Sequence, residues 1–277
     1  MRTSWCGGGV LADAAGFAFD LDGTLVRRTP DGPEPLPGAR DVLDAIRRSG
    51  RPLAVFTNAS HATPAELADR VRAAGLPVDD RDVLTPVCSA IAELHASHAR
   101  RPVCAFATSS TRARLRTEGI DVLRDDDDRC PEVVFVAHVD EVDLRALEAA
   151  AHAVRGGSAF LTANIAAVYA GADGPIVSRG AMVTAAIAHA AQTPAVVVGK
   201  PSSAALRALV VRLGVRSDRI AVVGDDLDMD IALGHLGGSR TILVRTGLSG
   251  DRDVAAAPAE LRPHVVLDDV GGLLGLP

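Results

Sequence analysis

The apolar run Phe17-Ala-Phe ends at two aspartates, Asp20 and Asp22, and Gly23 and Thr24 follow. One carboxylate of such a pair can attack a phosphorus centre covalently, while its neighbour exchanges a proton with the leaving group or with water. Both can also help hold a hard cation through oxygen. Three more segments set polar residues after an apolar run: Thr57-Asn58, Lys200-Pro201 and Gly224-Asp225. A carboxylate nucleophile facing an anionic phosphate needs positive charge nearby, and a divalent metal bound by Asp20, Asp22 and Asp225 would supply it, with Lys200 as a second cation. Thr57 and Asn58 would donate hydrogen bonds to the transferring phosphoryl oxygens. Gly23 lets the chain turn close to a substrate, and the Thr24 hydroxyl is expected to tie that turn. Lys200 stands out further as the only lysine among 29 basic residues, so that position calls for a compact point charge rather than a planar fork.

These residues work together only if the fold gathers them. The first third of the chain reads as strand 16–19, helix 39–49, strand 53–56 and helix 64–74, and the last third as strand 195–198, helix 202–213, strand 220–223, helix 230–236 and strand 241–244. That βαβα order implies a doubly wound parallel sheet of Rossmann-like type, whose strand ends line one crevice. Between the two halves lies a segment with strands of its own at 103–107, 133–136 and 159–161 and helices near 111–118 and 144–154. The expected organisation is an α/β core from 1–96 and 195–277 with an inserted α/β cap domain at 97–194, placed over the carboxyl edge of the core sheet.

Composition narrows the remaining classes. A net charge of −6 and 3% aromatic residues argue against a nucleic-acid surface. No apolar stretch reaches the roughly 20 residues a membrane span needs, and the opening residues lack the apolar centre of a signal peptide, so the expectation is a cytoplasmic protein with no membrane partner. Cys6, Cys88, Cys104 and Cys130 are too widely spaced for a zinc or redox motif and read as buried free thiols. The run Asp125 to Asp128 reads as a solvated turn, Asp226 and Asp228 as solvated or helix-capping, and the eight histidines show no paired metal spacing at a strand end.

In this order, Asp20/Asp22, Thr57, Lys200 and Asp225/Asp230 resemble the four motifs of the haloacid dehalogenase superfamily. Thr57-Asn58-Ala59-Ser60, the large insertion, Gly199-Lys200-Pro201-Ser202 and the segment from Gly224 to Ile231 further resemble its capped phosphatase branch, which contains the p-nitrophenyl, ribonucleotide, phosphoglycolate and pyridoxal-phosphate phosphatases. The resemblance runs from about residue 16 to residue 267. It implies that Asp20 becomes an aspartyl-phosphate, and that Asp22 serves as general acid and then base. It also implies that Mg²⁺ is held by Asp20, the Asp22 backbone carbonyl and Asp225, that Lys200 orients Asp20 and the phosphate, and that Asp230 supports the metal's water or Lys200 from behind.

The expected activity is hydrolysis of a small-molecule phosphate monoester. A phosphotransferase or phosphomutase using the same intermediate and a non-catalytic ligand-binding homologue are the alternatives, while Asp22 disfavours a dehalogenase. The chain departs from the branch at Asn164-Ile165-Ala166, where an aspartate is usual in place of Ala166, and at Asp226, where arginine or asparagine is usual. The specificity position of the cap falls near Tyr169, the chain's only tyrosine, and the pattern leaves room for a homodimer through the cap.

Overall fold

The computed structural model describes residues 13–124, 126–171 and 174–276; Cys6 and Asp125 lie outside them. The chain divides into two compact units, one comprising residues up to Thr57 with Pro64–Leu84 and Pro201–Pro277, the other Asn58–Thr63 and Thr85–Lys200.

Strand β1 (Gly16–Phe19) opens the first unit, and the hairpin β2 (Val26–Thr29) and β3 (Gly32–Pro35) follows it. Next come α1 (Ala39–Ser49), β4 (Leu53–Phe56), α2 (Pro64–Ala73) and β5 (Val83–Leu84). The second unit carries α3 (Pro86–Ser97), β6 (Val103–Phe106), α4 (Ser109–Thr117), β7 (Val133–Val136), α5 (Leu144–Arg155), β8 (Ala159–Thr162), the hairpin β9 (Val168–Gly171) and β10 (Gly174–Val177), α6 (Arg179–Ala191) and β11 (Val196–Val197). The chain then returns to the first unit through α7 (Ser203–Leu213), β12 (Ile220–Gly224), α8 (Ala232–Leu236), β13 (Arg240–Val244) and β14 (Val265–Leu267).

The first unit is built on a six-stranded sheet of order β14-β13-β12-β1-β4-β5, parallel throughout. Every residue of β1, β4 and β12 is buried, as strands covered on both faces require, and this is why their sequences run apolar without alternation. Helix α1 shows how the local sequence sets an element. Its start carries Asp41 and its end Arg47 and Arg48, matching the helix dipole, while Gly50 closes it at φ 73 in the left-handed region. Its apolar stripe, Val42, Leu43 and Ile46, is fully buried.

The second unit has a four-stranded parallel sheet of order β11-β8-β7-β6. Its core packs Val134, Val136 and Phe160 against Val154, Val183 and Ile187.

Two expectations are corrected here. Residues 195–198 do not extend the first sheet: β11 pairs with β8 through Val196–Leu161 and Val197–Thr162, and Val198 N donates to Thr162 O at 2.9 Å. A two-residue strand carries too little pattern to declare its partner, which is chosen by non-local hydrogen bonding. The cysteines also differ among themselves, Cys88 being buried, Cys104 half-buried and Cys130 exposed beside the aspartate run that precedes β7. In that run Asp127, together with Asp121, engages the Arg129 guanidinium, which holds both carboxyl groups below the usual range.

Candidate active site

The six-stranded sheet brings three carboxylates together at the carboxyl ends of adjacent strands. Asp20 follows β1 and Asp225 follows β12, and the Asp20 N–H donates to Val223 O at 2.8 Å, which sets the two strand ends level. Oxygens of Asp20, Asp225 and Asp230 lie within 4.8 Å of one another, with Asp225 3% and Asp230 2% exposed. Carboxylates this close, two of them buried, repel strongly, so the cluster suits a hard cation that oxygen ligands favour.

Asp230 reaches this point through a π-helical turn, Leu227–Ile231, which gives way to α8. Such turns interrupt helices mainly where function demands it. Asp226 caps the turn by accepting from the N–H groups of Asp228 at 2.8 Å and Met229 at 3.2 Å, as its expected capping role requires. Burial, reinforced by the neighbouring Asp230, pushes the Asp226 carboxyl up.

The turn after β1 is closed by the main chain. Gly23 N donates to Val26 O at 2.7 Å, and Leu25 N and Val26 N both donate to Leu21 O. Gly23 stands at φ +88, and a Cβ there would meet an Asp225 carboxylate oxygen at 2.5 Å. Thr24 does not tie the turn as expected: its hydroxyl is buried and has no partner among the described residues, because backbone groups have already closed the loop. Both oxygens of Asp22 accept from the Arg28 guanidinium at 2.7 Å. Thr57, 3% exposed, follows β4 on the other side of β1, with its N–H donating to Leu84 O at 3.1 Å.

Asn58 and Lys200 belong to the second unit and clasp each other across 142 residues. The Asn58 amide donates to Lys200 O and its carbonyl accepts from Lys200 N, each at 2.9 Å. Lys200 is 4% exposed. Ser202 then caps α7 by accepting from Ala205 N at 3.0 Å. Tyr169 lies half-buried on β9 opposite Ile176, and Asn164 closes a local turn by accepting from Ala166 N at 2.5 Å.

Comparison with known proteins decides the lineage. Residues 17–121 match the haloacid dehalogenase-like hydrolase family, and residues 197–273 match a second family model of hydrolases of the same superfamily. The chain belongs to the haloacid dehalogenase-like hydrolases. It falls in the phosphatase branch that its motifs resemble, and it is a phosphoric monoester hydrolase. It is 26% identical to dihydroxyacetone phosphatase of Corynebacterium glutamicum over 93% of this chain and 90% of the relative. Among solved structures it resembles NagD of Escherichia coli, with a TM-score of 0.82 and 25% identity over 93% of this chain and 97% of that one. It also resembles the glycerol phosphate phosphatase of Mycobacterium tuberculosis in complex with magnesium, with a TM-score of 0.83 and 26% identity over 94% and 76% of the two chains.

No expectation from the sequence covered one part of this hydrolase's site. The loop after β13 wraps Asp225: Leu248 N donates to its carboxylate at 2.8 Å and Ser249 N to its carbonyl at 2.9 Å. Thr246 donates its hydroxyl hydrogen to Gly23 O at 2.5 Å, which joins the same loop to the turn after β1. Small residues after an apolar strand, as in Thr246-Gly247-Leu248-Ser249, are the only signal that could have found it.

Proposed function

We propose that this hydrolase is a Mg²⁺-dependent phosphatase that cleaves a small-molecule phosphate monoester through an aspartyl-phosphate on Asp20. The observation that carries the reading is the cluster of Asp20, Asp225 and Asp230 at the carboxyl ends of β1 and β12, with Asp22 two residues beyond Asp20. The donor set fits the ion, being hard carboxylate oxygens, two of the three groups buried. Asp20, the Asp22 backbone carbonyl and Asp225 would hold Mg²⁺, with Asp230 supporting them. When bound, the ion offsets the charge of the phosphoryl oxygens.

An Asp20 oxygen attacks phosphorus as the ester oxygen leaves, and Asp22 gives that oxygen a proton. Water then attacks the same phosphorus, Asp22 takes its proton, and the Asp20 carboxylate is regenerated. Thr57, Asn58 and Lys200 bind the phosphoryl oxygens, and Tyr169 contributes to the choice of substrate from the cap at 97–194. The relatives named above are a dihydroxyacetone phosphatase and a glycerol phosphate phosphatase, which supports a small phosphorylated metabolite as substrate. A cytoplasmic setting, with neither nucleic acid nor membrane as partner, suits the free thiols of Cys88, Cys104 and Cys130. A homodimer through the cap suits the exposed Val168, Ile176 and Val177 of the β9–β10 hairpin.

The test is release of p-nitrophenol from p-nitrophenyl phosphate with Mg²⁺. Asp20→Asn is expected to lose at least ~10³-fold in kcat, since a carboxamide is no nucleophile. EDTA is expected to abolish turnover and Mg²⁺ to restore it. Wild-type turnover in Asp20→Asn sinks the nucleophile, and turnover that survives EDTA sinks the metal.

A further inference from the structure

Asp22 is held by a guanidinium that no motif requires. Arg28 sits on β2, and its Nε donates to Asp22 Oδ1 and an Nη to Oδ2, both at 2.7 Å. Surface ion pairs usually contribute little, but this one is bidentate and about two-thirds covered, with side-chain exposures of 32% and 28%. Its geometry is fixed from both ends. Asp22 forms an isolated bridge with Val26 at the base of the hairpin, and β3 pairs with β2 so that Arg28 faces Pro33.

A fork that donates to both oxygens fixes the plane and direction of the carboxylate it grips. It uses one lone pair on each oxygen and leaves a second free. Of the two steps assigned to Asp22, water attack depends most on that direction, because the water has no other bond to orient it. We propose that Arg28 is a positioning residue that holds the Asp22 carboxylate to receive the proton of the attacking water. The inference rests on the aspartyl-phosphate reading above. In the step concerned, the water oxygen bonds to phosphorus and the phosphorus–oxygen bond to Asp20 breaks. Its electron pair returns to the Asp20 carboxylate, the water proton passes to Asp22, and inorganic phosphate is released. Arg28 exchanges no proton. It fixes the angle at which the free lone pair meets the water, which a single-point ammonium would not do.

The experiment is rapid-quench turnover of p-nitrophenyl phosphate with Mg²⁺, reading p-nitrophenol and acid-trapped phosphoenzyme together. Arg28→Ala is expected to give a first-turnover burst of about one p-nitrophenol per site, followed by a steady state slowed ~10- to 100-fold, with phosphoenzyme accumulating. The burst itself reports a folded site. Arg28→Lys, which keeps the charge but loses the fork, should also accumulate phosphoenzyme. In an Asp22→Asn background, Arg28→Ala should cost no further steady-state rate. The proposal is overturned if burst and steady state fall together without accumulation, since Arg28 would then only support the fold. It is equally overturned if the steady-state rate is unchanged or rises, or if removing Arg28 still costs rate when Asp22 is already gone. Failure of the reading beneath it looks different: wild-type turnover in Asp20→Asn, with no phosphoenzyme trapped in any variant.

Discussion

At Lys200 the kind of charge matters as much as its sign. Its main chain is clasped on both sides by the Asn58 amide, and a Cβ on the preceding Gly199 would overlap Ala163 O. A buried side chain entering from so confined a backbone has little freedom to move, and a guanidinium is larger and forked. Lys200→Arg is therefore expected to lower kcat by ~10²-fold or more, the scale of losing one positioned donor to a transition-state charge, while circular dichroism stays unchanged. Near-normal kcat would refute this reading of the lone lysine. Asp20, Asp22, Thr57, Lys200 and Asp225 could be proposed from the sequence because they gather where apolar runs end, and a lysine is conspicuous in a chain otherwise supplied with arginine. Arg28 was not legible for the same reason reversed: one more arginine offers no contrast, and its role appears only when a hairpin folds it back onto Asp22.

The elements decide how tightly those residues are held. The loop after β13 supports both the turn after β1 and Asp225, and at Gly247 it leaves no room for a side chain. A Cβ on Gly247 would overlap the Asp225 side chain, its Cβ as well as its carboxylate. Gly247→Ala is expected to cut kcat at least ~10²-fold by displacing Asp225. Overpacking of this kind should also cost ~1–3 kcal/mol of stability, measured by chemical denaturation. Gly250→Ala, whose Cβ would meet nothing closer than Asp253 at 3.7 Å, is the control and should stay near wild type. Equal behaviour of the two variants would remove the steric argument. β1, β4 and β12 announced themselves as continuous apolar runs. The hairpin β2–β3 did not, because Val-Arg-Arg-Thr and Gly-Pro-Glu-Pro show no apolar alternation for a core to read. Helix α6 was likewise silent, its many alanines giving a weak stripe. The placement of β11 depends on a pairing partner 35 residues away in sequence, Val196 with Leu161, which local pattern does not encode.

For the whole molecule, the carboxylate cluster sets catalytic capacity against stability. Three acids within 4.8 Å in a chain of net charge −6 raise the free energy of the metal-free fold, and a cation that binds only the folded state returns it. At a Mg²⁺ concentration about 100 times Kd the gain should be ~2.7 kcal/mol. Asp225→Asn should therefore make the metal-free protein more stable and abolish the Mg²⁺-dependent gain, as read by denaturation with and without the ion. The two-unit architecture says where that gain must appear. The α/β pattern on both flanks is what led the sequence to an expected insertion at 97–194, whereas the breaks between the two compact units, after residues 57, 63, 84 and 200, are set by contacts that the sequence does not display. Asp20, Asp225 and Asp230 all belong to the first unit, so Mg²⁺ should slow hydrogen exchange in residues 20–26, 225–231 and 246–249 and leave 133–136 and 159–162 of the second unit unchanged. Protection spread evenly over both sheets, or confined to the second, would mean that the ion is not held by these three aspartates.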